Sequence, residues 1–174
     1  IRRNKLRFDP RLKINEDVLF NLQYLRFLLF LQKNSAIYCL AGVYYNQNDM
    51  LAGSLSRSLR GDLLDAEAVT RPVLEAFLTD AKLPAPEIDR LVQISRVRAA
   101  LNQYGLLTGC PGHMPVAPRQ LFARILQDAD ARAALRARLT ADPNRLLALP
   151  YRLGVFLHSA WLLAAYTQLK NRFL

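Results

Sequence analysis

Apolar side chains recur at helical spacing along most of this chain, and the pattern predicts an all-helical protein. From residue 15 to residue 32 the sequence is almost entirely apolar, and Glu16 and Asp17 lie in the positively polarised first turn of the expected helix. The alternation of apolar and polar residues that marks a half-buried strand does not persist anywhere. We therefore predict an all-α fold, an irregular helical bundle of about seven helices.

Helical patterns in the middle of the chain are separated by proline, glycine and polar turns. They cover residues 36–45, 50–59, 65–82, 86–104, 119–127 and 130–140, and the last two are either two short helices or one bent helix. Pro72 lies inside the third of these patterns, and proline in a helix interior costs about 3 kcal/mol. A helix that starts near Thr70 is therefore the cheaper alternative to a distorted continuous helix. Gly105 is the predicted C-cap of the next helix, and the prolines and glycines of residues 106–118 predict a loop.

The C-terminal segment, residues 146–174, contains an uncharged stretch that is a candidate for a membrane-spanning helix. Residues 153–169 carry no formal charge, and in a helix they reach about 25 Å, near the lower limit for the hydrocarbon layer of a membrane. Arg152 and Lys170 bracket this stretch as interfacial anchors would. We predict one C-terminal apolar helix that either spans a membrane or is buried in protein. In the membrane alternative, His158 needs a hydrogen-bond partner because it is ionisable.

The same patterns divide the chain into three predicted parts. They are a basic N-terminal arm (1–14), a helical domain (15–145) and the C-terminal apolar helix (146–174). The chain begins at Ile1, and we expect a trimmed or processed form. The arm is then either the remainder of an arginine-rich organellar transit region or a solvated basic extension.

Composition excludes two classes of protein and leaves the partner open. With 52% hydrophobic residues the chain of 174 residues is not intrinsically disordered, and two cysteines cannot form a disulfide scaffold. The net charge is +10, with 24 Lys and Arg against 14 acids. A positively charged protein surface can bind nucleic acid, anionic lipid or an acidic protein. The sign of the charge alone does not distinguish among these three partners.

Residues that could carry chemistry are sparse, so we expect no enzyme, no metal and no cofactor. Cys110 and His113 have the spacing of two metal ligands, whereas a structural zinc site needs four. Cys39 and His158 could complete that set only if an apolar helix and the terminal helix met at the loop. No nucleophile elbow, phosphate-binding glycine loop or zinc-protease motif occurs.

Two groups of residues are candidates for binding rather than for catalysis. Arginines that share a predicted helical region could contact an anion or RNA; these are Arg132, Arg136 and Arg138. Asp128 and Asp130 interrupt this basic region, and Phe122 is its only aromatic residue for base stacking. Residues near the ends of the apolar segments could contact lipid or a partner; these are Arg2, Arg3, Arg152, His158, Trp161, Lys170 and Arg172.

These observations favour a non-enzymatic structural or accessory subunit of a large multiprotein complex. We expect a mitochondrial location, at the inner membrane or on its matrix side, in a complex of the respiratory-chain or ATP-synthase type. One alternative is an accessory protein of an organellar ribosome that contacts RNA, and another is a soluble α-helical enzyme or regulator. The sequence leaves open which complex and which neighbours are involved.

Overall fold

The protein is all-α, which confirms the predicted fold class. A computed structural model describes residues 7, 12, 16–31, 63–109, 118–142 and 145–173, and in these ranges it contains seven helices and no strand. The helices are α1 (Glu16–Leu31), α2 (Leu63–Asp80), α3 (Ala85–Gly109), α4 (Pro118–Gln127), α5 (Ala129–Ala141), α6 (Arg145–Phe156) and α7 (Ala160–Phe173). The helices predicted over 36–45 and 50–59, and almost all of the N-terminal arm, lie outside the described residues.

Contacts within the chain divide it into two compact units. The first comprises Ile1–Ser56 and Asp65–Ser95, and the second comprises Arg57–Leu64 and Arg96–Leu174. In the first unit, Arg26 Nε donates a hydrogen bond of 2.5 Å to Asp80 Oδ2 and so ties α1 to the end of α2. Both side chains are exposed, so this pair contributes little to stability.

The second unit contains a hydrophobic core to which α3, α4, α5, α6 and α7 all contribute. Its largest fully buried apolar side chains are Phe122, Leu107, Ile125, Leu135, Leu163 and Val155. The Tyr104 ring makes edge-to-face contacts with Phe122 and with Tyr151, at centroid distances of 6.2 and 5.9 Å. Helices α6 and α7 therefore contribute to the same core as α4 and α5.

Two helices run through residues that the sequence predicts as boundaries. α2 is continuous from Leu63 with Pro72 inside it, so the predicted start near Thr70 is wrong. The turns before the proline bury Ala66 and Thr70, and this burial offsets the lost backbone hydrogen bond. α3 likewise continues past Gly105 to Gly109, because Tyr104 and Leu107 on either side of the glycine are both buried in the core.

The predicted single helix over 146–174 is also wrong, because the chain breaks between α6 and α7. His158 has a φ of +52°, the left-handed conformation that ends many helices. Ser159 N donates to Gly154 O at 2.8 Å, and His158 N donates to Val155 O at 3.3 Å, which is the bonding pattern of a Schellman cap. Ser159 Oγ then accepts from Leu162 N and caps the start of α7.

The break lets α7 pack closely against α6. A Cβ atom on Gly154 would lie 2.5 Å from Leu163 Cδ2, so the absence of a side chain at Gly154 allows this close approach without a shift of Leu163. Among the described helices, none combines the length and the apolar character needed to cross a bilayer. The predicted membrane-spanning form of the C-terminal segment is therefore not confirmed.

Candidate interaction surface

The outer face of α6 carries a row of exposed large apolar side chains. Leu149, Leu153 and Phe156 follow one another along one face of the helix, and Leu157 continues it one residue past the end of α6. These four side chains are between 48% and 69% exposed. The opposite face of α6 is apolar too, and it is already buried in the core. We call the exposed row the α6 surface.

A groove with a volume of about 240 Å³ lies beside the α6 surface. Side chains of α5 and α6 line it, namely Arg136, Leu139, Thr140, Arg152, Val155 and Phe156. The guanidinium carbon of Arg136 lies 5.9 Å from the centroid of the Phe156 ring, which places a cation against the exposed aromatic face. The groove therefore combines an apolar floor with a positively charged wall.

Arg152 is held in this wall by the end of α5. Its Nε and one terminal nitrogen donate to Leu139 O at 2.9 and 2.6 Å, and the same terminal nitrogen donates to Thr140 O at 3.3 Å. These carbonyls are among the last of α5 and have no partner within the helix, so a cation satisfies them and also favours the negative end of the helix dipole. The sequence predicts Arg152 as a lipid or partner contact; the structure gives it a structural role as well.

His158 and Trp161 lie at the end of the α6 surface. A terminal nitrogen of Arg136 is 3.3 Å from His158 Nε2, which can accept this bond when the proton of the neutral ring is on Nδ1. Trp161 begins the next helix and is 63% exposed. Both are predicted contact residues, and the structure brings them to the same linker region between α6 and α7.

The three arginines predicted to contact RNA or another anion do not form one binding site. Arg132 donates to Leu126 O at the end of α4, whereas Arg136 contacts Phe156 and His158. Arg138 faces a different cavity, described below. Phe122, the aromatic residue considered for base stacking, is fully buried and cannot stack on a base.

Acidic residues in the same region pair with an arginine that the sequence analysis does not single out. Asp128 caps α5 by accepting from Asp130 N and Ala131 N at 3.0 and 3.1 Å. Arg96 lies 2.7 Å from a carboxylate oxygen of both Asp128 and Asp130. The signal for this cap is present in the sequence, because Asp before a helical pattern is a strong N-cap candidate.

The remaining predicted residues do not join the α6 surface. Lys170 Nζ donates to Thr108 O at 3.0 Å, and Arg172 is exposed near the end of α7. Arg2 and Arg3 lie outside the described residues, and so do the two candidate metal ligands, Cys110 and His113. Within the described part of the chain, no three His, Cys, Asp or Glu residues are grouped as metal ligands would be.

We compared the chain with known protein families, curated proteins and solved structures. No protein-family model, no curated protein and no solved structure matches the chain.

Proposed function

We propose that this protein is a non-enzymatic subunit of a larger multiprotein assembly and that it contacts a protein partner through the α6 surface. The observation that carries the proposal is the row of four exposed apolar side chains on a helix whose other face is already buried. Contiguous apolar surface of this kind usually marks an interaction site. Its burial against a partner is favourable by about 25 cal/mol per Å² of apolar surface removed from water.

The charge around the α6 surface indicates an acidic partner. Arg136 and Arg152 line the adjoining groove, and the whole chain carries a net charge of +10. A partner segment with apolar anchors for Leu153 and Phe156, flanked by Asp or Glu, would complement both the shape and the charge. Trp161 is a further anchor, because tryptophan is enriched among the residues that dominate binding energy.

The experiment measures the mass of the native particle that contains the chain in cells. We expect the wild-type chain to migrate well above its own 19.8 kDa on native gels. The double substitution Leu153→Asp/Phe156→Asp should release it from that particle, because two carboxylates then have to be desolvated at the interface. Ile94→Asp is the matched control, since Ile94 is an exposed aliphatic residue on another helix. It should leave the particle intact.

Two outcomes would overturn this proposal. One is a wild-type chain that migrates as a 19.8 kDa monomer in cell extracts. The other is a chain that is absent from any larger particle but sediments with vesicles containing phosphatidylglycerol, and loses this binding in the double variant. That result would make the α6 surface a lipid-binding site. Circular dichroism of each purified variant shows whether the helices remain folded.

The cellular setting stays a prediction from the sequence. The mitochondrial inner membrane, a complex of the respiratory-chain or ATP-synthase type, and a membrane-spanning C-terminal segment all rest on composition and pattern alone. The same holds for the alternatives, an RNA-contacting accessory protein and a soluble enzyme or regulator. RNA binding through several phosphate contacts should weaken about a thousandfold between 50 and 200 mM salt, so a flat salt response argues against it.

A further inference from the structure

A second cavity lies between four helices of the second unit and is partly open to solvent. Its volume is about 220 Å³, below the range of about 300–1,000 Å³ that holds drug-sized ligands. Polar side chains and two tyrosine rings line most of it; the lining residues are Tyr104, Thr108, Arg138, Leu139, Asp142, Ala148, Tyr151 and Lys170. The cavity is therefore small, and it combines charged and polar side chains with apolar ones.

The hydroxyl group of Tyr104 is the first sign that this cavity is built for a ligand. Tyr104 is 95% buried, yet its hydroxyl has no hydrogen-bond partner among the described residues. Burial raises the pKa of Tyr104, the neighbouring Tyr151 raises it further, Arg138 lowers it and Asp142 raises it. The hydroxyl thus lies within electrostatic range of three other residues that line the same cavity. The Tyr104 hydroxyl is not one of the buried side-chain atoms that lack a partner, so it is open to the pocket that Tyr104 lines, where it can donate to a ligand oxygen.

Further hydrogen-bond donors converge on the same space. Thr167 gives its single hydroxyl proton to Leu163 O at 2.7 Å, so at 3.3 Å its Oγ1 accepts from the Tyr151 hydroxyl, and Tyr151 has no free proton for a ligand. Lys170 uses one of its three donors on Thr108 O and keeps two. Arg138 forms no ion pair with any other residue that the structure describes.

The charges of the lining residues select the class of ligand. Arg138 and Lys170 contribute two positive charges and Asp142 contributes one negative charge, so the cavity carries a net charge of +1. One negative charge on the ligand balances this sum of formal charges, and Asp142 opposes each negative charge that the ligand adds beyond the first. A planar guanidinium also matches the two oxygens of a carboxylate.

We propose that this cavity binds a small organic carboxylate, with Arg138 and Lys170 on its charged oxygens and the Tyr104 hydroxyl as an additional donor. Apart from Leu139, which lines both the groove beside the α6 surface and this cavity, the lining residues of the two sites are different. The two proposals therefore stand or fall independently.

Benzoate is a suitable probe, because it combines one carboxylate with a ring that can pack against the two tyrosines. We expect saturable chemical-shift changes in backbone amides of α3 and α5 during titration with sodium benzoate at constant ionic strength. Arg138→Gln should raise the Kd about tenfold or more, since hydrogen bonds to charged groups are worth about 1.5–3 kcal/mol and 1.4 kcal/mol corresponds to a factor of ten. Tyr104→Phe should raise the Kd several-fold.

Arg98→Gln is the matched control, because Arg98 is an exposed arginine of the same unit that does not line the cavity. Its Kd should equal that of the wild-type chain. The proposal is overturned if benzoate gives no saturable change, if Arg98→Gln weakens binding as much as Arg138→Gln, or if inorganic phosphate binds as tightly as benzoate. Unfolding curves of the variants confirm that a lost signal does not come from a lost fold.

Discussion

Gly154 provides the sharpest test of how α6 and α7 pack. A methyl group at this position would lie 2.5 Å from Leu163 Cδ2 and 2.8 Å from Leu163 Cγ. Carbon atoms in contact are normally about 3.5–4.0 Å apart, so Leu163 would have to move by about 1 Å. Leu163 is fully buried in the core, so this movement would press it against neighbouring core side chains. The expected penalty for such overpacking is about 1–3 kcal/mol.

The same substitution also brings a gain, because alanine stabilises a helix interior by about 0.8–1.0 kcal/mol relative to glycine. We therefore expect Gly154→Ala to lower the free energy of unfolding by about 1 kcal/mol net. Gly105→Ala is the matched control. A Cβ at Gly105 meets no atom within 4 Å, so this variant should show the gain alone and become more stable by about 1 kcal/mol.

Urea unfolding followed by tryptophan fluorescence measures both variants. The single tryptophan, Trp161, lies in α7 and reports on the unit that contains both glycines. A double-mutant cycle with Leu163→Ala isolates the contact, because removal of Leu163 should relieve part of the Gly154→Ala penalty, by about 0.5 kcal/mol or more. Equal stabilisation by both alanine variants, or a coupling of zero, would refute the close packing of α6 on α7.

Three further predictions use the same unfolding assay. Gln103 is fully buried, and neither polar atom of its side-chain amide has a hydrogen-bond partner among the described residues. Gln103→Met should therefore raise the free energy of unfolding by about 1 kcal/mol or more. A lower free energy of unfolding in this variant would show that the amide does have partners. Arg152→Ala should cost about 1.5–3 kcal/mol because the Leu139 carbonyl loses its charged donor, and Arg152→Lys should recover part of this. Burial raises the pKa of Tyr104 and Tyr151 above the ordinary value of 10, so the stability that these groups supply is complete below pH 10 and is lost as the pH rises above it. Tyr104→Phe should reduce the slope of this loss by about 1.4 kcal/mol per pH unit, and an unchanged slope would contradict the assignment.

The positions of the arginines show what could not be inferred from the sequence. Arg132 and Arg152 were singled out for RNA, lipid or partner contact, yet both donate to carbonyls at the ends of neighbouring helices. A guanidinium binds whichever acceptors lie within its reach, and here the acceptors belong to the preceding helix, 6 and 13 residues earlier in the chain. Spacing within one helix predicts which arginines share a face, but it does not indicate which helix end that face will meet.

Local pattern is sufficient for the helical class and for the course of α1, because hydrophobic period and capping residues act within a few positions. It leaves open whether residues 119–140 form one bent helix or the two helices, α4 and α5, that the structure contains. It failed where burial outweighs a local preference. The core carries α3 through Gly105 and α2 through Pro72, since the apolar side chains beside these residues gain more from packing than a helix end would save. Conversely, His158 ends α6 in a left-handed conformation that usually requires glycine. The tertiary structure decides this break, because only there can α7 fold back and place Leu163 against Gly154.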